Sequence, residues 1–149
     1  MKRVITNNLW TFFIQAMVIV VGLISVGLLG FTGEGIAVLV APIIYIYYGW
    51  KFLTPLPRYN WMSVLALLLA LVSFYGILYI WEPFSLDVMR VLAFLNYPAI
   101  LGVYFGLGES SLGDNLALSA LVASFFPPLF IYFGLCIKKF RQWNNEELT

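Results

Sequence analysis

The sequence predicts an all-α protein, a helix bundle that crosses a membrane several times. Three observations carry this reading. Of 149 residues, 62% are hydrophobic, against about 45–50% in an ordinary soluble domain. Only 10% are charged, against about 25%. A fold this small leaves too much surface exposed to hide that excess in one core. The apolar residues also gather into five continuous segments, 9–31, 36–53, 61–81, 86–108 and 116–137. Each is near the ~20 residues that span about 30 Å of hydrocarbon. None has an acidic residue in its interior, and the runs are too continuous for barrel strands, so helices are expected.

The first segment, 9–31, follows Lys2 and Arg3 as a signal sequence would. It is too long for the 7–15-residue apolar core of a signal peptide, and an uncleaved first span is expected. A short connection at 32–35 leads to the second span, 36–53. Pro55 and Pro57 then stiffen an inner turn over 54–60 and end the second helix. Asn60 precedes the third span, 61–81, as a predicted helix N-cap, and Asn115 stands in the same relation to the span 116–137. Residues 138–149 are expected to form a short polar tail. The tryptophans Trp10, Trp50, Trp61, Trp81 and Trp143 sit at or just beyond segment ends, where an indole keeps its ring apolar and its N–H wet. With no linker, repeat or low-complexity tract, a single transmembrane domain is expected.

The segment 86–108 decides the topology. If it does not cross, one side of the membrane holds Lys2, Arg3, Lys51, Arg58, Lys138, Lys139 and Arg141, and the other holds only Arg90. If it crosses, the basic residues divide into Lys2, Arg3, Lys51 and Arg58 on one side and Arg90, Lys138, Lys139 and Arg141 on the other, with no bias. Lys and Arg in short loops set orientation, whereas Asp and Glu contribute little. The acidic Glu34, Glu82, Asp87, Glu109 and Asp114 are merely consistent with an outer side. Asn96-Tyr97-Pro98 breaks the segment into halves of about 16 Å at 1.5 Å per residue. Each half is about half a bilayer, which suits a re-entrant hairpin. The competing reading is a fifth span with a proline kink. Four spans are therefore expected, plus a fifth segment that is re-entrant or spanning. Both termini are predicted cytoplasmic, in a bacterial plasma membrane.

No chemical motif stands out. There is no histidine, which removes the commonest general base and metal ligand. Cys136 is the only cysteine, so neither a zinc site of Cys/His type nor an intrachain disulfide can form. Neither a catalytic residue nor a cofactor or metal site is expected, and a net charge of +1 gives no steering toward nucleic acid. Small four-helix multidrug exporters are similar to this chain in size and span count. Their mechanism needs a carboxylate in the first span, where this chain offers only Gln15 and Ser25. Intramembrane aspartyl proteases carry a Gly-x-Gly-Asp signature. Here Gly106 and Gly108 lead to Glu109, and Ser111 and Gly113 lead to Asp114, so neither stretch matches.

Pro42, Pro98, Pro127 and Pro128 lie inside apolar segments, and interrupted helices build substrate sites in some transporters. Small residues four apart, Ala37/Ala41, Ala66/Ala70, Gly102/Gly106 and Ser119/Ala123, offer faces for close helix contact. Tyr45, Tyr47, Tyr48, Phe125, Phe126 and Tyr132 are expected as lipid-facing or interhelical filling. The segment singled out for function is 86–108 with its outer flank: Arg90, Asn96, Pro98, Gly102, Gly106, Glu109 and Asp114. The expected role is a non-enzymatic subunit, accessory or regulatory partner, including an immunity partner, of a membrane complex. Its partners are the bilayer and other membrane subunits or further copies of itself. The alternatives are a small oligomeric transporter or channel built on the broken helices and, less favoured, a membrane enzyme using Asp87, Glu109 or Asp114.

Overall fold

The computed structural model describes residues 1–81 and 116–146. Over these it is helical, with no strand: α1 (Lys2–Leu29), α2 (Phe31–Phe52), a 3₁₀ turn (Asn60–Ser63), α3 (Leu65–Trp81), α4 (Leu116–Ala123) and α5 (Phe126–Glu146). Among the described residues, three helical stretches are long and apolar enough to cross a membrane: Lys2–Leu29, Gly35–Phe52 and Ala120–Asn144. The predicted third span is represented by a shorter apolar helix, Leu65–Ile77. Segment 86–108 lies outside the described residues, as does Asn115.

Several boundaries differ from those the sequence suggests, each for a local reason. Helix α1 starts well before residue 9 because its polar first turns have partners. Thr6 Oγ1 donates to the Lys2 carbonyl, and Asn7 and Asn8 bond to other elements. The expected connection at 32–35 is helical. The reversal from α1 to α2 uses one residue, Gly30, at φ 57° and ψ −134°. A Cβ makes that backbone conformation costly, so glycine supplies it. Helix α2 runs unbroken through Pro42. The expected tail from 138 continues α5 to Glu146.

The predicted span 116–137 is indeed interrupted, but tightly. A turn at Ser124–Phe125 separates α4 from α5, and Pro127 and Pro128 occupy the first turn of α5. Proline is tolerated there because first-turn N–H groups have no helical acceptor. The turn's own backbone donors are used: Ser124 N bonds the Ala120 carbonyl at 3.0 Å, and Phe125 N bonds that of Val122 at 3.3 Å.

Each long helix buries one narrow stripe. On α2 it is Gly33, Ala37, Ala41, Tyr45, Gly49 and Leu53, every fourth residue. On α1 it is Asn7, Thr11, Ile14, Val18 and Gly22. Rows of this spacing form the ridges and grooves through which helices pack. The stripe on α2 is small at four of its six positions, which brings backbones together. The approach is closest where α2 meets α5. A Cβ on Gly49 would collide with the Ile131 carbonyl, and one on Gly134 with the Ile46 carbonyl and, at 2.8 Å, the Trp50 nitrogen. The predicted Ala37/Ala41 face is thus buried. Ala66 and Ala70 lie off the buried side of α3, which runs through Val64, Leu67, Leu71 and Tyr75, and Ala70 is exposed.

Contacts fix the relative directions. The start of α1 touches the 54–66 region through Asn7 and Asn8, and Lys138 reaches back to Leu53. The start of α1, the end of α2, the start of α3 and the latter part of α5 therefore share one end. Lys2, Arg3, Lys51, Arg58, Lys138, Lys139 and Arg141 all belong to these segments. Helix α3 leads away from this basic end, and α5 returns to it.

Candidate functional site

The basic end holds the densest polar construction among the described residues, and it is built around the 54–60 turn. A turn with two prolines lacks backbone donors and makes no regular ladder, so its remaining polar groups need side-chain partners. Helix α1 supplies them. Asn7 is almost fully buried. Its amide nitrogen donates to the Thr54 carbonyl and to Ser63 Oγ, both at 2.8 Å, while its oxygen accepts from Thr54 N at 3.1 Å. Asn8 Nδ2 donates to the Val4 and Met62 carbonyls, and Asn8 Oδ1 accepts from Ala66 N at 3.0 Å. That N–H lies in the first turn of α3, where helical donors lack intrahelical acceptors. Asn8 thus caps α3 from another helix.

Asn60, the residue expected to cap the third span, turns the other way. Its Oδ1 accepts from Leu56 N at 2.7 Å and closes the loop on itself. The loop leaves Asn60 buried beside Leu56, so its oxygen meets the nearer donor. Lys138 of α5 completes the assembly. Its ammonium donates to the Leu53 carbonyl at 2.7 Å and that of Lys51 at 3.4 Å. The first is the carbonyl of the residue that caps α2 and the second lies in its last turn, where a cation also opposes the helix dipole.

An aromatic ladder flanks the polar clamp. Trp10 stacks on Phe52 with centroids 4.4 Å apart, and Phe52 on Tyr48 at 5.4 Å. The Lys51 ammonium lies 5.5–6.0 Å from the ring centroids of Tyr47, Tyr48 and Phe52. Deeper in the bundle, Tyr45 donates its hydroxyl proton to Gln15 Oε1 at 2.8 Å, with both side chains buried. At the α4–α5 turn, Ser124 Oγ donates to the Leu121 carbonyl at 2.6 Å.

The residues singled out in the sequence, Arg90, Asn96, Pro98, Gly102, Gly106, Glu109 and Asp114, together with Asp87, all lie outside the described residues. Residues missed by sequence reasoning are Asn7, Asn8, Gly49 and Gly134. A signal existed for the first pair: two consecutive asparagines just ahead of an apolar helix have little reason to be there unless their amides have work to do. For Gly49 the signal was the four-residue register of small residues on α2, which continues from Ala37 and Ala41 through Tyr45 to Gly49; Gly134, on α5, has no such register. Among the described residues no cluster of three or more His, Cys, Asp or Glu is placed to hold a metal. No protein family, curated protein or solved structure matches this chain.

Proposed function

We propose that this chain is a small scaffolding or accessory subunit of a membrane complex. It crosses the bilayer four times, with the basic end in the cytoplasm. One observation carries the functional reading. Among the described residues, the buried polar side chains Asn7, Thr11, Gln15, Asn60, Ser63 and Ser124 each bond within the chain. A substrate pathway presents polar groups to its cargo, whereas here Asn7, Gln15 and Ser63 bond between elements, Asn60 closes the 54–60 turn, and Thr11 and Ser124 bond carbonyls three residues back. Meanwhile long apolar side chains such as Leu39, Ile43, Phe133 and Phe140 face outward, available to lipid or to neighbouring subunits. Purification in mild detergent followed by mass spectrometry tests this, with co-purifying membrane subunits or a defined homo-oligomer expected. A stable monomer without partners overturns it.

The helix directions support the four-crossing topology. With α3 leaving the basic end and α5 returning to it, this reading calls for an even number of crossings between them, zero included. A single fifth span does not fit that parity. The positive-inside bias supports cytoplasmic termini. The test uses a Cys136→Ser background with Ser111→Cys or Thr149→Cys, and an impermeant maleimide on intact cells. Labelling at 111 with protection at 149 is expected; the reverse pattern sinks the topology.

A further inference from the structure

The basic end also carries a recess that the chain leaves open. It is lined by Trp50, near the end of α2, and by Lys138, Arg141 and Gln142 of α5. The spacing of three and four residues puts the α5 groups on one helix face. Lys138 is pinned there by its bonds to Leu53 and Lys51. An ammonium has three donors, and those two bonds leave one. Arg141 and Gln142 are exposed. Among the described residues, neither Lys138 nor Arg141 makes an ion pair. The first acidic position further along α5 is Glu146, about two turns beyond Lys138. Two cations, a carboxamide and an indole thus line one opening, with no anion paired to the cations among the described residues.

What lies beneath the recess indicates the source of the missing anion. Ile137 and Phe133 lie four and eight residues before Arg141, on the same side of α5, and both are exposed. Tyr47 and Ile43 lie three and seven residues before Trp50 on α2, and both are likewise exposed. Below the charged opening, each helix therefore carries an apolar strip along its length. Cationic groups above and apolar strips below match a lipid with a negatively charged head and hydrocarbon tails. The sequence alone argues against such a site, because the three basic residues of the tail are too few. The fold adds Trp50 and orients Lys138 through α2.

We propose that this recess binds the phosphate of an anionic glycerophospholipid, with Arg141 and Lys138 on the phosphate oxygens and the acyl chains along Phe133, Ile137, Tyr47 and Ile43. Arg offers its planar fork to two oxygens, and Lys138 contributes a fixed point charge. The proposal rests on the basic end lying at a membrane surface. Carbonate extraction checks that separately: a chain that washes out of membranes fails the membrane reading, and one that stays tests the lipid site alone.

The experiment equilibrates the full-length protein in micelles with equal amounts of phosphatidylglycerol and phosphatidylcholine, then counts retained lipids by native mass spectrometry. Wild-type protein is expected to retain phosphatidylglycerol preferentially. Arg141→Gln should lower that preference about fivefold, the effect of losing one basic contact at a membrane surface. Arg58→Gln removes the same charge from the same end and should leave it unchanged. Equal retention of the two lipids overturns the proposal, and so does an equal loss in both variants, which marks diffuse attraction to a basic surface. Excess inorganic phosphate forms a further arm. If it binds and displaces the lipid, the site takes free phosphate and the lipid assignment falls; persistence of bound phosphatidylglycerol supports it.

Discussion

The two ends of the α1–α2 hairpin are held by different physics. At the basic end, Asn7, Asn8 and Lys138 cross between elements to bond backbone groups, and Trp10 stacks on Phe52. At the Gly30 end, α1 and α2 meet through apolar side chains around Val18, Gly22, Ala37 and Ala41. No cross-helix hydrogen bond joins the described residues there. The buried stripe of α1 shows the same gradient, from Asn7 and Thr11 through Ile14 and Val18 to Gly22. Directional bonds fix register at one end. At the other, helices close only as far as small side chains and one glycine turn allow.

The glycines sharpen this contrast most. Gly134 has backbone where a Cβ would go, whereas a Cβ on Gly35 meets nothing within 4 Å. Gly134→Val should destabilise the bundle by about 3 kcal/mol or more, since overpacking typically costs 1–3 and here the obstacle is a backbone that cannot rotate away. Gly35→Ala should be neutral or stabilising by up to about 1 kcal/mol, because alanine is the better helix former. Unfolding in mixed micelles followed by circular dichroism separates them. Equal losses would mean that the two ends are packed alike.

Next in size is Asn7→Leu. The side chain is nearly isosteric, but Thr54 N–H, the Thr54 carbonyl and Ser63 lose a shared partner. Leaving buried polar groups unpaired costs about 1–3 kcal/mol each, and water at the headgroup level offsets part of it, so a loss of about 2–3 kcal/mol is expected. The same micelle unfolding reads it. Val18→Leu, at the apolar part of the same stripe, should cost less than about 1.5 kcal/mol if the packing there is looser. A larger effect at Val18 than at Asn7 would invert the comparison.

How much of this was legible before the fold is a matter of range. The membrane class follows from bulk apolarity, and the shared basic end follows from where Lys2, Lys51, Arg58 and Lys138 fall between apolar runs. Pro127 and Pro128 announce the α4–α5 turn because proline acts on its own backbone. Pro42 misleads for the complementary reason: a helix in a bundle accommodates one missing N–H, and the sequence does not show its neighbours. Asn60 is legible as a cap but not as a cap of what, since Leu56 N and the first turn of α3 are both within a few residues. The contacts of Asn7 with Thr54 and of Gly134 with Ile46 join residues 47 and 88 positions apart, and no local pattern encodes such pairings. The predicted functional segment around Asn96 and Pro98 is a matter of sequence alone.

Gly30→Ala tests the far end directly. At φ 57° and ψ −134°, a residue with a Cβ costs about 1–3 kcal/mol. There is open space around the site, so the cost is conformational rather than steric packing. A loss of about 1–2 kcal/mol in micelle unfolding is expected, with the basic end unaffected. Hydrogen exchange at the Thr54 amide, which donates to Asn7 Oδ1 at 3.1 Å, should be equally slow with and without Gly30→Ala. If its protection falls in step with stability, the two ends are not independent.

The smallest effect concerns the cap supplied across helices. Asn8 Oδ1 accepts from Ala66 N while Asn8 Nδ2 donates to Met62 and Val4. Asn8→Asp keeps the acceptor and adds negative charge at a helix N-terminus, which the dipole of α3 favours, but it loses both donors. Asn8→Leu loses everything. Removing an N-cap costs about 1 kcal/mol, and partial access to water brings the expected loss for Asn8→Leu to that value or slightly below. Global unfolding barely resolves so small a change, whereas hydrogen exchange at the Ala66 amide does: 1 kcal/mol corresponds to roughly fivefold faster exchange if the site opens locally. Asn8→Asp should hold the Ala66 amide near wild-type protection and Asn8→Leu should release it. Equal protection in both would mean that α3 is started by its own 3₁₀ turn, and that α1 and the 54–66 region meet at the basic end through Asn7 without any help from its neighbour.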